Sequence, residues 1–255
     1  MQRYGRIRPI VTTVIAFAKA GGRIIRSVNQ QKRLEVGNGV RVAHDVSFFG
    51  GGQVSLGDRV TIGSGVSLTV DEGAVIEVGS DSYIGAHSAL TVRKGHAIRF
   101  GRRFQLGERC RIVSLRGVVW GDDGSLGSES SVLAREGGGQ GALVVGSESH
   151  LHSHTLIDLC ADVVVGDRVH SGPFCAFYTH NHVPMPGKLI WDQNPSFAPI
   201  RIGAGTWIGH NCSILPGVSV GDNCILATGA VITSSVEPWT VVGGVPARVL
   251  KRILP

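Results

Sequence analysis

The most regular feature of the chain is an aliphatic residue at every sixth position. From Ile202 the series continues through Ile208, Ile214, Val220, Leu226 and Ile232, and two places before each stands Ile200, Thr206, Cys212, Val218, Cys224 or Ala230, mostly small. An α-helix repeats at about 3.6 residues and a half-buried strand at about 2, so neither generates this period. A chain that turns a corner every six residues does, and three corners close a triangular coil of about eighteen residues. Each aliphatic then points into the prism and stacked coils bury one continuous column. Glycine often follows the aliphatic, as in Ile202-Gly203, Ile208-Gly209 and Val220-Gly221, where a corner asks for backbone angles that other residues resist.

The same phrase recurs upstream as Leu56-Gly57-Asp58, Ile62-Gly63, Val78-Gly79-Ser80, Ile84-Gly85, Phe100-Gly101, Leu106-Gly107, Trp120-Gly121, Leu126-Gly127, Val145-Gly146 and Val165-Gly166-Asp167. Its spacing there wanders around twenty, which predicts small loops or bulges at the corners. The expected fold is all-β, a left-handed parallel β-helix over residues 36–241. Residues 1–35 form a basic segment read as a helix, and residues 242–255 a C-terminal loop and tail. Residues 181–199, with Pro184, Pro186, Pro195 and Pro199, cannot continue the coil and form an extended loop.

Composition agrees with a narrow aliphatic interior, since the 255 residues include 37 glycines and only 6% aromatics. The net charge of +6 suggests nucleic acid until it is divided along the chain. Residues 1–33 hold Arg3, Arg6, Arg8, Lys19, Arg23, Arg26, Lys32 and Arg33 and no acid, which leaves the body slightly acidic. Nucleic-acid binding is therefore not expected. The basic segment instead caps the body or touches anionic lipid head groups. Five cysteines without a CxxC pair argue against a disulfide framework or structural zinc and fit a reducing cytoplasm, at the inner face of the membrane if the segment touches lipid.

Function is expected where repetition breaks. His180 immediately precedes the proline-bearing loop and, counted from Phe177 as an inward position, falls at a corner. Three phrases close the chain in order: Ile202-Gly203-Ala204-Gly205-Thr206-Trp207-Ile208-Gly209, Ile214-Leu215-Pro216-Gly217-Val218 and Val242-Gly243-Gly244-Val245-Pro246-Ala247-Arg248. This signature resembles that of the hexapeptide-repeat transferases, which include galactoside, maltose, serine and antibiotic acetyltransferases and many polysaccharide O-acetyltransferases.

The resemblance implies an acetyl-CoA-dependent O-acetyltransferase acting on a hydroxyl of a sugar or polysaccharide precursor. Within Tyr178-Thr179-His180-Asn181-His182, His180 corresponds to the general base, with His182 as second candidate; an imidazole can take a hydroxyl proton near neutral pH. Asp158 and Asp162, one coil earlier, could orient the ring or bind a sugar hydroxyl, and Asp158 is grouped with Trp191 and Asp192 as the acceptor set. Trp207, Thr228 and Thr233 correspond to positions along the pantetheine arm, and Arg248 and Lys251 to a basic pair facing the phosphates. Relatives often carry lysine after the equivalent of Thr233; Ser234 here removes that contact. They also assemble as trimers with active sites between walls, and no metal is expected. The residues leave other readings open: N-acetylation of an amino sugar, a γ-carbonic-anhydrase-like zinc enzyme using His150, His152 and His154, or a non-catalytic solenoid.

Overall fold

A computed structural model of the chain describes residues 14–19, 22–27, 34–137 and 139–253. The six-residue period becomes a parallel β-helix of about nine turns. Its first face runs from Leu34–Val36 to Ser219–Val220 and its third from Ser47–Gly50 to Val231–Ile232. The second begins at Arg41–Val42 and ends with Thr240–Gly244 and Ala247–Arg252. Each coil visits the faces in that order, and each strand pairs with its counterpart one coil away.

Register sets the core. Ile62, Ile84, Leu106, Leu126 and Leu151 stack in successive strands of the second face, all buried. Ser171 interrupts the aliphatic column there, and its hydroxyl accepts a hydrogen bond from the main chain of His152 at 3.1 Å. Trp120 is buried among the coils, and its Nε1 donates to the carbonyl of Ser149 at 3.2 Å. Gly124 makes room for it, because a Cβ at 124 would lie 2.4 Å from two atoms of the indole.

The structure differs from the sequence expectation in three places. Upstream coils advance by 20 to 25 residues and C-terminal ones by 18. Much of the difference lies in longer strands rather than corner bulges. Ser67–Val70 and Val75–Val78 each hold four residues, whereas Ser213–Ile214 and Ser219–Val220 hold two. The N-terminal segment does not form the expected helix: Val14–Lys19 and Gly22–Ser27 pair antiparallel, since β-branched and aromatic residues flank the Gly21-Gly22 pair. The lipid contact expected of residues 1–33 depends on side chains outside the described residues. Finally, the C-terminal tail is a strand, Ala247–Arg252, folded back antiparallel on Thr240–Gly244, which pairs one side of an otherwise open sheet edge.

Candidate functional site

His180 stands where the coil is abandoned. The strand Ala176–Phe177 of the third face ends, and His180–His182 leaves the prism to pair antiparallel with Pro195–Phe197. The chain then re-enters the first face at Ile200–Ile202. Between the hairpin strands a 3-10 turn, Ile190–Asp192, is tied down by Gln193, whose Nε2 donates to the carbonyls of Lys188 and Leu189 at 3.1 and 3.2 Å. His180 therefore occupies the vertex between the third and first faces.

Beneath it lies Asp158, with 0% of its surface exposed. The Nδ1 of His180 donates to Oδ2 of Asp158 at 2.7 Å. That oxygen also accepts the main-chain N–H of Thr179 at 3.1 Å and lies 3.0 Å from the Thr179 hydroxyl. The other oxygen accepts the main-chain N–H of Arg135 at 3.0 Å and the thiol of Cys160 at 3.1 Å. Burial by itself raises this carboxyl. Hydrogen bonds from His180, Cys160, Arg135 and Thr179 outweigh burial and hold it below its ordinary value. Cys160 responds in the opposite sense: burial, then the carboxylate, push its thiol up to about 11.

This arrangement corrects the place of Asp158 in the acceptor set. A fully buried carboxylate whose oxygens are taken up by protein donors cannot meet a sugar, so it orients the imidazole instead. Asp162 does not orient the ring: it is exposed, and its Oδ1 accepts the main-chain N–H of Ala142 at 2.9 Å across a corner. Asp192 is exposed in the loop, and the side chain of Trp191 lies outside the described residues. His182 is half-buried, its ring edge-on to His180 with centroids 5.9 Å apart, and its Nε2 is 4.0 Å from Glu136.

Thr179, Cys160 and the segment around Arg135 and Glu136 received no functional role in the sequence reading. Their signal was the glycine run Gly137-Gly138-Gly139, which marks a second break in the repeat. A Cβ at Gly139 would lie 2.5 Å from Cα of Cys160, so only glycine lets this segment approach the coil carrying Asp158.

Most of the donor-side candidates lie elsewhere. Trp207, half exposed at 50%, is aligned with Ile225, Val241 and Lys251 in successive strands of the second face. Thr228 and Thr233 are exposed, Thr228 at the corner after that face and Thr233 just beyond Val231–Ile232. Arg248 is exposed on the returning strand. Thr233 lies at the same third-to-first corner as His180, two coils on. In a triangular prism the second face, with Trp207, Arg248 and Lys251, lies opposite that vertex, so one chain does not bring the base together with those three.

The same face carries a cleft of about 640 Å³ lined by Gln105, Ser125, His150 and His170 together with corner residues such as Arg168. His150 Nδ1 is 2.9 Å from the hydroxyl of Ser125, and its ring is 4.8 Å from that of His170. Burial, then His170, push the pKa of His150 down. His154 instead stacks on Phe174 at 4.4 Å and lies 3.6 Å from Glu129. His150 and His154 thus turn to different neighbours, and among the described residues no metal-capable grouping contains them or His152.

Residues 199–234 match the family described as bacterial transferase hexapeptide (six repeats), and residues 53–70 that described as hexapeptide repeat of succinyl-transferase. A chloramphenicol acetyltransferase of Agrobacterium fabrum is 43% identical, across 43% of this chain and 67% of its own length. The chain belongs to the hexapeptide-repeat acyltransferase family. Another relative, the galactoside O-acetyltransferase of Escherichia coli, is 35% identical across 36% of this chain and 44% of its own length. The chain spans between 41% and 52% of the length of the first curated relatives it matches. A UDP-N-acetylglucosamine acyltransferase of Campylobacter jejuni shares the fold, with a TM-score of 0.51 at 13% identity over 86% of this chain and 75% of that one.

Proposed function

We propose that the chain transfers an acetyl group from acetyl-CoA to a hydroxyl of a sugar or polysaccharide precursor, with His180 as general base. The observation that carries this reading is the 2.7 Å hydrogen bond between His180 and buried Asp158. It fixes the neutral tautomer with hydrogen on Nδ1, so the lone pair for an incoming proton is on Nε2. As the acceptor oxygen attacks the thioester carbon, its proton passes to Nε2, and the imidazolium so formed is stabilised by the carboxylate beneath it. Collapse of the tetrahedral intermediate breaks the carbon–sulfur bond, and the proton leaves with the CoA thiol.

Support for the donor comes from family membership and from the two relatives, both acetyltransferases. The exposed basic residues Arg248 and Lys251 suit its phosphates, and Trp207 with Thr228 and Thr233 suits the pantetheine arm. Because Trp207, Arg248 and Lys251 lie on the face opposite the base in one prism, the reading requires a neighbouring copy whose second face meets the His180 vertex, and the resemblance to the family makes that assembly a homotrimer. The acceptor then enters past the loop bearing Trp191 and Asp192. Five buried cysteines, none in a disulfide, support a cytoplasmic place of action, and the basic N-terminal segment would bring the enzyme to an anionic membrane surface.

The test is thiol release from acetyl-CoA by wild type and His180→Ala against a panel of oligosaccharides and nucleotide sugars. Acceptor-dependent release that falls by about 10²–10⁴-fold in the variant is expected. Absence of acetyl-CoA binding to the wild type overturns the reading.

A further inference from the structure

The second break in the repeat carries chemistry of its own. Beside the hairpin that holds His180 and His182, it presents the half-buried carboxylate of Glu136. One ring nitrogen of each histidine and one carboxylate oxygen of Glu136 lie within 4.8 Å of one another. Two imidazoles and a carboxylate form a donor set that zinc accepts, at bond lengths of about 2.0–2.2 Å. Small rotations of side chains at the surface close the remaining distance.

A separate observation points the same way. The Nδ1–H of His180 is bound to buried Asp158, the outer hydrogen bond that typically orients a metal-binding histidine and raises the basicity of its other nitrogen. With Nδ1 so engaged, Nε2 is the atom left for a cation. Asp158 and Cys160 also group with His180, but the Asp158 oxygens already take hydrogen bonds from Arg135, Thr179, Cys160 and His180. They support the ring rather than bind the ion.

We propose that Glu136, His180 and His182 form a zinc site whose occupation blocks the Nε2 lone pair needed to accept the acceptor proton. Zinc is then a reversible inhibitor of the enzyme and not its cofactor. The inhibition rests on the reading of His180 as base; the binding does not. Glu136 has no part in the proton path, so removing its charge separates the two.

The experiment uses untagged full-length protein as wild type, Glu136→Gln and His180→Asn, with thermal melts to show that each is folded. Zinc affinity is measured by competition with a chromophoric chelator, and acetyl-CoA turnover is measured with and without added zinc. The expected result is stoichiometric zinc binding by wild type, weakened at least about tenfold in each variant. Glu136→Gln should turn over normally without zinc and need correspondingly more zinc for inhibition. Equal zinc affinity in wild type and Glu136→Gln, or no binding by either, overturns the site. Zinc binding lost in both variants, with no turnover by wild type under any condition, upholds the site and overturns the transferase reading.

Discussion

The Nδ1 of His180 lies 2.7 Å from Oδ2 of Asp158, a carboxylate with no exposed surface that also receives main-chain hydrogen bonds from Arg135 and Thr179. Substituting Asp158→Asn preserves its shape and reverses its chemistry on one side. If the amide oxygen keeps Arg135 and Cys160, the amide nitrogen faces the donors of Thr179 and His180. The expected outcome is a stability loss of about 1–3 kcal/mol, read from chemical denaturation. Turnover should fall with little change in KM for acetyl-CoA, because the imidazole loses its oriented tautomer.

Arg248 and Lys251 are exposed on the returning C-terminal strand, far from the vertex of His180. Replacing both by alanine should raise KM for acetyl-CoA and leave kcat nearly unchanged, a loss of uniform binding. Raising the salt concentration should raise KM in wild type more than in the double variant, because the contact is with phosphates at the surface.

Gly124 and Trp120 are coupled by contact. Gly124→Ala should destabilise by about 1–3 kcal/mol, because its Cβ meets the indole within a close-packed interior. In Trp120→Leu the obstruction is gone, so the same glycine substitution should cost less. A double-mutant cycle from denaturant midpoints reads the difference.

Paired charges line the corner between the first and second faces. Arg59 binds Asp81, Arg102 binds Asp122 and Arg103 binds Asp123, and in each case the arginine hydrogen bond holds the aspartate below its ordinary pKa. A depressed carboxylate contributes stability above its unfolded value of about 3.9, and that contribution is lost as pH falls through the lower folded value. Melting temperature should therefore drop as pH is taken below 4 or so. High salt should shrink this pH effect, since all the pairs face solvent. Arg103→Ala should show a smaller drop than wild type.

Much of this was legible in the chain. The period of six, with aliphatic residues at one phase and small ones two places before, admits one way of burying apolar surface, so Ile208, Ile214 and Leu226 declared the β-helix without knowledge of any contact. His180 was marked by its place before a segment rich in proline, because proline removes the donor a coil needs. The N-terminal segment misled, since sparse apolar residues over so short a stretch fit helix and hairpin alike and the pairing of Val14–Lys19 with Gly22–Ser27 decided between them.

What the sequence could not determine was adjacency across coils. Asp158 precedes His180 by 22 residues, which is a full turn and two residues more. Which of Asp158 and Asp162 lies under the ring depends on the exact length of that turn, and coil lengths here range widely. Cys160 and the backbone of Arg135 join the site for the same reason, and Glu136 comes to lie beside His182: stacking places them there, and no local pattern records it. The sequence determined the fold because periodicity is a local property read at every position. Tertiary structure alone decided what surrounds His180, because register between coils accumulates every insertion that precedes it.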